Sequence, residues 1–330
     1  MSIHFKFCKY AAAFALITIL IPLSSRAGEI GTPTTVNGFT FTNFDPSVMG
    51  LAGSNANGIS NRGHVIVSAF NESGTFLNFA GRPSSSIALN TGTSTTAMAF
   101  GINSGGDVVG AHNGAAFFLP LHGTPQNLNV PAGMSSAFGI NDEGSIVGQF
   151  TSPSGQIPGF YLRNSTSSKL VTINASSGPN VLFAQGINNF GLIVGFYVGN
   201  DGQDHGFIAN AFKARNGVLT GTPIVDPVIP NVPGEPGATF VFSQLLGVND
   251  AGIAVGYYGD STTSQHGFVY DTNTGTYTFL DDPAEAFNNG VEVTQITGIS
   301  NSGELTGFYT DANGIAHSFI ACPAYAYCPK

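Results

Sequence analysis

Three histidines stand at one position of a recurring His-small-Phe triplet and are the first residues that suggest chemistry. The triplets are His205-Gly206-Phe207, His266-Gly267-Phe268 and His317-Ser318-Phe319. Imidazole nitrogens are common metal ligands, so the triplets raise the hypothesis of a metal site. A residue that recurs at one position of a repeat is, however, expected to do the same structural job in each copy. We therefore favour a structural role for these side chains and predict no metal site and no cofactor.

Acidic residues in loops are the other candidates. We expect them on a single face of the molecule, where they offer a ligand site. The candidate ligand-binding residues are Asp204, Asp260, Asp281, Asp282, Glu285 and Asp311. Two such carboxylates could serve a glycoside hydrolase or lyase. The alternative is that they keep an exported protein soluble.

Motifs typical of enzymes are missing from the chain. There is no Gly-x-Ser-x-Gly segment, no CxxC pair and no phosphate-binding loop. Trp, the residue on which sugars most often stack, is also absent, and Tyr257, Tyr258 and Tyr309 are the available substitutes. The sequence therefore predicts no catalytic residues and favours a binding role.

A six-residue motif, Gly-Ile/Val-Asn/Ser-x-x-Gly, recurs six times and decides the architecture. Five copies place a further glycine four residues after the motif, whereas the first copy has Val67 there. Successive copies start 43, 38, 47, 61 and 51 residues apart, which is the range of four-stranded propeller blades. The 61-residue spacing indicates one long loop rather than a seventh blade. The copies start at Gly58, Gly101, Gly139, Gly186, Gly247 and Gly298.

Within each unit, the residue types predict consecutive short strands. Asn-x-x-Gly after an apolar residue is typical of a tight turn in which glycine adopts positive φ. The β-branched and aromatic stretch that follows predicts a second strand, and the His-small-Phe triplet opens a third. No segment has a sustained helical period. We predict an all-β chain that forms one β-propeller of six four-stranded blades, or five if the degenerate unit 51–80 fails to form a blade.

The chain ends after the third strand of its last unit, while an unassigned strand, Phe39-Thr40-Phe41-Thr42-Asn43-Phe44, precedes the first. A propeller ring can close when such a strand completes the last blade, because closure removes a free edge. We therefore expect Phe39–Phe44 to pair with the strand that contains Phe319.

The repeat resembles the extracellular HAF-repeat family, which is named for a His-Ala-Phe triplet that follows a Gly-Ile-Asn-x-x-Gly-x-x-x-Gly segment. The triplet degenerates here to Ala115-Ala116-Phe117 and Pro158-Gly159-Phe160 in two copies. The resemblance covers essentially the whole chain after the leader. It implies an exported bacterial repeat protein and no particular activity.

The first 27 residues have the pattern of a secretory signal peptide. Lys6 and Lys9 precede an apolar run, and small residues lead to a predicted cleavage after Ala27. The run is shorter than the roughly 20 apolar residues that span a bilayer, so we expect no membrane insertion of the mature chain, residues 28–330. We expect those residues to form one secreted domain, in the periplasm or the medium.

Removing this leader deletes three cationic residues and no acidic one, so the net charge changes from -9 to -12. Such a chain repels nucleic acid and anionic membranes. Cys8 leaves with the leader, and Cys322 and Cys328 remain as a predicted terminal disulfide. The leading interpretation is an exported, non-enzymatic propeller that binds a polysaccharide or another envelope protein. A carbohydrate-active hydrolase or lyase and a structural surface or matrix component are the alternatives.

Overall fold

The computed structural model describes residues 32–46, 51–71, 75–82, 87–89, 91, 97–131, 133–232, 235–285 and 291–324. The predicted leader and Cys328 lie outside these residues. Cys322 is buried opposite Thr40 at the end of the last strand. The disulfide and the signal peptide therefore stay predictions. None of the described helical segments is long and apolar enough to cross a membrane.

Six small antiparallel sheets surround a central axis as the blades of a β-propeller, which confirms the predicted fold. From the axis outward, blade 1 contains Leu51–Ile59, Val65–Asn71, Phe76–Gly81 and Ile87–Ala88, and blade 2 contains Met98–Ile102, Val108–His112, Ala115–Leu119 and Gln126–Asn127. Blade 3 contains Ser135–Ile140, Ile146–Phe150, Gly159–Leu162, Leu170–Asn174 and Val218–Thr220, and blade 4 contains Leu182–Ile187, Leu192–Val198, Asp204–Asn210 and Thr222–Pro223. Blade 5 contains Phe240–Val248, Ile253–Asp260, Gln265–Asp271 and Thr276–Phe279, and blade 6 contains Thr294–Ile299, Leu305–Thr310, Ala316–Pro323, Phe39–Phe44 and Thr34–Val36. The helical structure among the described residues is the 3-10 turn Ala211–Lys213.

The N-terminal strand closes the ring as predicted. Phe39–Phe44 pairs antiparallel with the third strand of blade 6, and Asn43 lies opposite Phe319. Phe41 is buried against Phe319, with ring centroids 5.2 Å apart. The first and last segments of the described chain thus share one sheet.

The first glycine of each motif allows the innermost strands to meet at the axis. A Cβ on Gly139 would lie 2.6 Å from the carbonyl oxygen of Gln185 and 3.1 Å from the Cα of Gly186, and the other five copies face the next blade in the same way. Each glycine also follows a β-bulge in its strand. Only a residue without a side chain fits this contact.

The motif asparagines join neighbouring blades as well as forming turns. Asn141 Oδ1 accepts a hydrogen bond from the Ser145 N–H within its own turn, at 2.8 Å. Its Nδ2 donates to the Asn188 carbonyl of the next blade, at 2.9 Å. Asn103, Asn188 and Asn249 make the same pair of bonds. The sequence predicted the turn, and the bond between blades is an addition from the structure.

The degenerate first unit forms a complete blade, so six blades replace the alternative of five. Phe79 pairs with Val67, as Phe160 pairs with Gly148 in blade 3. Phe79 also stands 21 residues after Gly58, the spacing found in four other units. That spacing was a usable signal for the blade, and sequence reasoning missed it.

The long spacing after Gly186 contains more than a loop. We call residues 211–239 the insertion. Its Val218–Thr220 segment adds a fifth, parallel strand to blade 3, and Thr222–Pro223 is the fourth strand of blade 4. The insertion therefore supplies the outermost strand of both blade 3 and blade 4 before the chain enters blade 5. Among its described residues no seventh blade is formed, as predicted.

Candidate functional site

The three triplet histidines have the same surroundings in blades 4, 5 and 6. Each ring lies against a tyrosine of the adjacent strand, and each Nδ1 contacts a carboxylate from the connection that follows the fourth strand of its blade. The carboxylates accept at 3.1, 3.0 and 2.8 Å. The sets are Tyr197, His205 and Asp226, then Tyr258, His266 and Asp281, and then Tyr309, His317 and Asp45. The repeated histidine thus has the repeated structural role that the sequence favoured.

These contacts also place the acidic loops on one face. The carboxylate on Nδ1 comes from the connection between blades, whereas Asp201 and Asp311 approach Nε2 of His205 and His317 from the turn between the second and third strands. We call this the upper face. The opposite, lower face carries the turns between the first and second strands and between the third and fourth.

Blade 5 brings three of the six predicted site residues together. Asp260 and Asp281 contact His266, and Glu285 lies beside them. Glu235, which the insertion contributes, accepts from His266 Nε2 at 3.1 Å and is almost fully buried. Glu235 was not among the predicted site residues, and sequence reasoning did not bring it to His266.

Two groups of this blade 5 cluster, His266 and Glu285, have shifted pKa values. Burial disfavours the imidazolium of His266, but the hydrogen bond and charge of Asp281 and the charge of Glu235 outweigh burial and raise the pKa of His266 to about 9. Burial, followed by the charge of Asp281, raises the pKa of Glu285 to about 9. At neutral pH, His266 is therefore charged and Glu285 is protonated.

The other three predicted site residues do not join this cluster. Asp204 is largely buried and accepts from Gln244 Nε2 of the neighbouring blade at 2.7 Å, and burial raises the pKa of its carboxyl. Asp311 accepts from the backbone N–H groups of Asn313 and Ile315 in its own turn. Asp282 is fully buried, where it accepts from Asn43. All three carboxylates therefore have structural roles, as hydrogen-bond acceptors at separate positions.

Asp282 provides a test of this electrostatic description. Burial raises the pKa of its carboxyl to about 6, from an ordinary value of 3.8, and its Oδ2 has no hydrogen-bond donor among the described residues. A raised carboxyl pKa means that stability is lost as the pH rises from about 4 through about 6. We expect the unfolding free energy of Asp282→Asn, relative to wild type, to increase by about 2 kcal/mol between pH 4 and pH 7.5 in denaturant titrations.

Asp311→Asn is the matched control for that measurement. Burial of Asp311 tends to raise its pKa, but hydrogen bonds from Ile315 and Asn313 outweigh burial and lower it. Its stabilisation is present above the unfolded pKa and lost as pH falls, so this variant should lose stability relative to wild type as pH rises. The same sign of pH dependence in both variants would contradict the assigned environments.

Among the described residues, neither the three tyrosines nor the lower mouth of the axis offers an open site. Tyr257, Tyr258 and Tyr309 are buried, so their rings are packing residues and not stacking surfaces for a sugar. At the lower mouth of the axis, a backbone N–H of each turn donates to a side-chain oxygen of the next blade. Asp142 N–H donates to Asn189 Oδ1, Asn189 N–H to Asp250 Oδ1, and Asp250 N–H to Asn301 Oδ1. A cavity of about 50 Å³ lies at this mouth, roughly the space of one or two waters.

A larger cleft lies where the insertion interrupts the repeat. We call it the insertion cleft, and its volume is about 640 Å³, within the usual range of ligand sites. It opens between the strands of blade 4 and the extra strand of blade 3. Its lining includes Leu192, Ile208, Lys213, Arg215, Leu219 and Thr222.

Cationic residues concentrate on this side of the molecule. Residues 28–330 contain seven Lys and Arg residues, since three of the ten belong to the predicted leader. Four of the seven lie in the lower connections of blades 3 and 4: Arg163, Lys169, Lys213 and Arg215. No carboxylate of the described residues forms an ion pair with Lys213 or Arg215, and both are exposed.

Two exposed aromatic rings border the same region. Phe212, which precedes Lys213, is 77% exposed and lies close to Gly191, and the adjacent Phe190 is 65% exposed. Sequence reasoning looked for the ligand site on the acidic upper face and missed this surface. The available signals were the 61-residue spacing and the rarity of Lys and Arg elsewhere.

Comparison with known proteins identifies the fold alone. No protein-family model and no curated protein sequence matches the chain. Among solved structures, the putative TolB from Agrobacterium tumefaciens aligns over 93% of this chain and 100% of its own, with a TM-score of 0.54 and 14% identity. A mutant of the Aleuria aurantia lectin in complex with Fucα1-6GlcNAc covers 84% of this chain and 98% of its own, at TM-score 0.44 and 10% identity. The BP39L lectin from Burkholderia pseudomallei covers 83% and 96%, at TM-score 0.38 and 13% identity.

Proposed function

We propose that this chain is an exported, non-enzymatic propeller of the HAF-repeat type that binds an acidic polysaccharide at the insertion cleft. The observation that supports this most directly is the coincidence of the cleft with the break in the repeat. Proteins built from repeats keep most units regular for packing, so a local departure that creates a cavity favours a binding role there.

The lining of the cleft suits a sugar polymer with carboxylate groups, because its cations attract a polyanion locally although residues 28–330 carry a net charge of -12. Leu192, Ile208 and Leu219 offer apolar surface, while Lys213 and Arg215 offer cationic groups at the rim that no described carboxylate neutralises. Arg in particular binds carboxylates through two parallel N–H bonds. The exposed ring of Phe212 provides the aromatic face on which the apolar side of a sugar can stack.

The carboxylates of the upper face give less support to the hydrolase alternative. Asp281 accepts from His266 Nδ1 through one oxygen and from the Gly267 N–H through the other, at 3.0 and 2.9 Å. Asp282 has no exposed surface. A carboxylate that acts on a glycosidic bond must reach that bond or a water beside it. The contacts of these two side chains favour a role in stabilising the blade over a role in catalysis.

The function can be tested by thermal unfolding of residues 28–330 with a panel of polysaccharides. We expect polygalacturonate or alginate to raise the melting temperature, because a ligand that binds only the folded state stabilises it. Dextran, a neutral polymer, should cause no shift. No cleavage products should form on prolonged incubation with the stabilising polymer. A shift with dextran alone, or turnover that is lost in Asp281→Asn, would reject the proposal.

A further inference from the structure

His266 differs from the other two triplet histidines in what its Nε2 faces. Nε2 lies 3.1 Å from Glu235 Oε2 and 3.9 Å from Asp260 Oδ2. Both carboxylates and the imidazole are almost fully buried, with side-chain exposures of 2, 1 and 0%. One proton on Nε2 can make one short hydrogen bond, so it satisfies Glu235 and leaves the second carboxylate without a partner.

The carboxylate that is left without a proton from Nε2 is that of Asp260. Its Oδ1 accepts from the Thr262 hydroxyl and from the backbone N–H groups of Thr262 and Ser264. Its Oδ2 has no hydrogen-bond donor among the residues that the structure describes. A buried carboxylate oxygen without a partner is costly, and it points here towards the imidazole and Glu235.

The opposite side of the imidazole is already fixed. Asp281 can only accept, so the Nδ1 proton is donated to Asp281 Oδ2 at 3.0 Å. A carboxylate on one ring nitrogen orients the ring and increases the basicity of the other nitrogen, and this arrangement commonly supports a metal-binding histidine. Nε2 is thereby directed at the two buried carboxylates.

The insertion makes the difference between the blades. In blades 4 and 6, Nε2 faces one carboxylate among the residues that the structure describes, from Asp201 or Asp311, and both side chains are partly exposed. In blade 5, Asp260 is the last residue of the second strand, and Glu235 is added by the insertion. The third donor is therefore a feature of blade 5 and not of the repeat.

We propose that Glu235, Asp260 and His266 form a binding site for a divalent transition-metal ion such as Zn²⁺ or Mn²⁺, which takes the place of the Nε2 proton and releases that proton to solvent. One donor atom from each residue lies within 4.8 Å of the other two. Ions that bind ligands at about 2.0–2.2 Å place neighbouring donors roughly 3–3.5 Å apart, so small side-chain movements suffice. A nitrogen together with two carboxylate oxygens favours these ions over Ca²⁺, which prefers oxygen ligands alone.

Direct titration of chelator-treated protein, residues 28–330, with Zn²⁺, Mn²⁺ and Ca²⁺ tests the proposal. We expect one Zn²⁺ or Mn²⁺ to bind per chain, and we expect the bound ion to raise the melting temperature. Co²⁺ should give the visible absorption of an ion with a nitrogen ligand. Binding of Ca²⁺ in preference to all three transition metals, or the absence of any binding, would overturn the proposal.

Glu235→Gln is the informative variant, because glutamine has nearly the shape of glutamate but lacks the negative charge that would face the ion. We expect Zn²⁺ affinity to fall by at least about tenfold in this variant. Asp201→Asn is the matched control at the equivalent histidine of blade 4 and should leave the affinity unchanged. Equal affinity in wild type and Glu235→Gln, with both folded by circular dichroism, would place the ion elsewhere and refute the site.

Discussion

Replacing Gly148 with alanine should destabilise the propeller by about 3 kcal/mol. A Cβ at this position would lie 2.0 Å from the carbonyl oxygen of Ser136 and 2.7 Å from two ring carbons of Phe160. The carbonyl belongs to the paired inner strand and Phe160 is fully buried, so neither can withdraw. Guanidinium-induced unfolding of residues 28–330 measures the effect.

Gly202→Ala separates this steric effect from backbone strain. Gly202 has φ +82°, and no atom lies within 4 Å of the place that a Cβ would occupy, so alanine there meets strain but no clash. We expect a loss of about 1 kcal/mol. If Gly148→Ala costs no more than Gly202→Ala, the close approach of Phe160 to the second strand does not exist in solution.

Phe41→Ala should lower the unfolding free energy by about 4 kcal/mol, because it removes a fully buried ring. Phe41 is 1% exposed and packs on Phe319 within the core of blade 6. The loss falls on the strand that joins the first and last segments of the described chain, so the whole ring should become less stable. Unfolding followed by tyrosine fluorescence and by circular dichroism should show one coincident transition.

Phe212→Ala is the control for the loss of a phenyl ring. That ring is mostly exposed, so its removal should change stability by less than about 0.5 kcal/mol. If Phe41→Ala is equally mild, the N-terminal strand does not close the ring, and blade 6 is not completed by Phe39–Phe44.

Most of the fold could be predicted because the determinants are local and repeated. The positive-φ turn glycines, such as Gly144 at φ +76°, stand where Asn-x-x-Gly placed them. Closure by Phe39–Phe44 followed from counting strands at the two ends of the chain. Blade 1 was harder to predict because Val67 stands where five other copies have glycine, although Phe79 keeps the 21-residue spacing from Gly58.

The candidate sites were less predictable because they depend on contacts across the ring. Asp281 and Glu285 are close in sequence and both lie beside His266, but Glu235 reaches His266 across 31 residues of the chain. The insertion cleft depends on Val218–Thr220 adding to blade 3, and a three-residue parallel strand has no periodicity to detect. Lys213 and Arg215 become a site only after that strand is in place.

The binding of an acidic polysaccharide to wild-type protein and to the double variant Lys213→Ala/Arg215→Ala is the most direct test of the insertion cleft as the ligand site. Calorimetric titration with polygalacturonate should show binding that weakens with added salt and falls at least about tenfold in this variant, since exposed charges act through screened attraction. Arg62→Ala/Arg82→Ala removes the same charge from blade 1 and should bind as wild type does. Equal loss in both double variants would show that binding depends on the total charge of the protein and not on the cleft. Unchanged binding in Lys213→Ala/Arg215→Ala would contradict the insertion cleft as the ligand site.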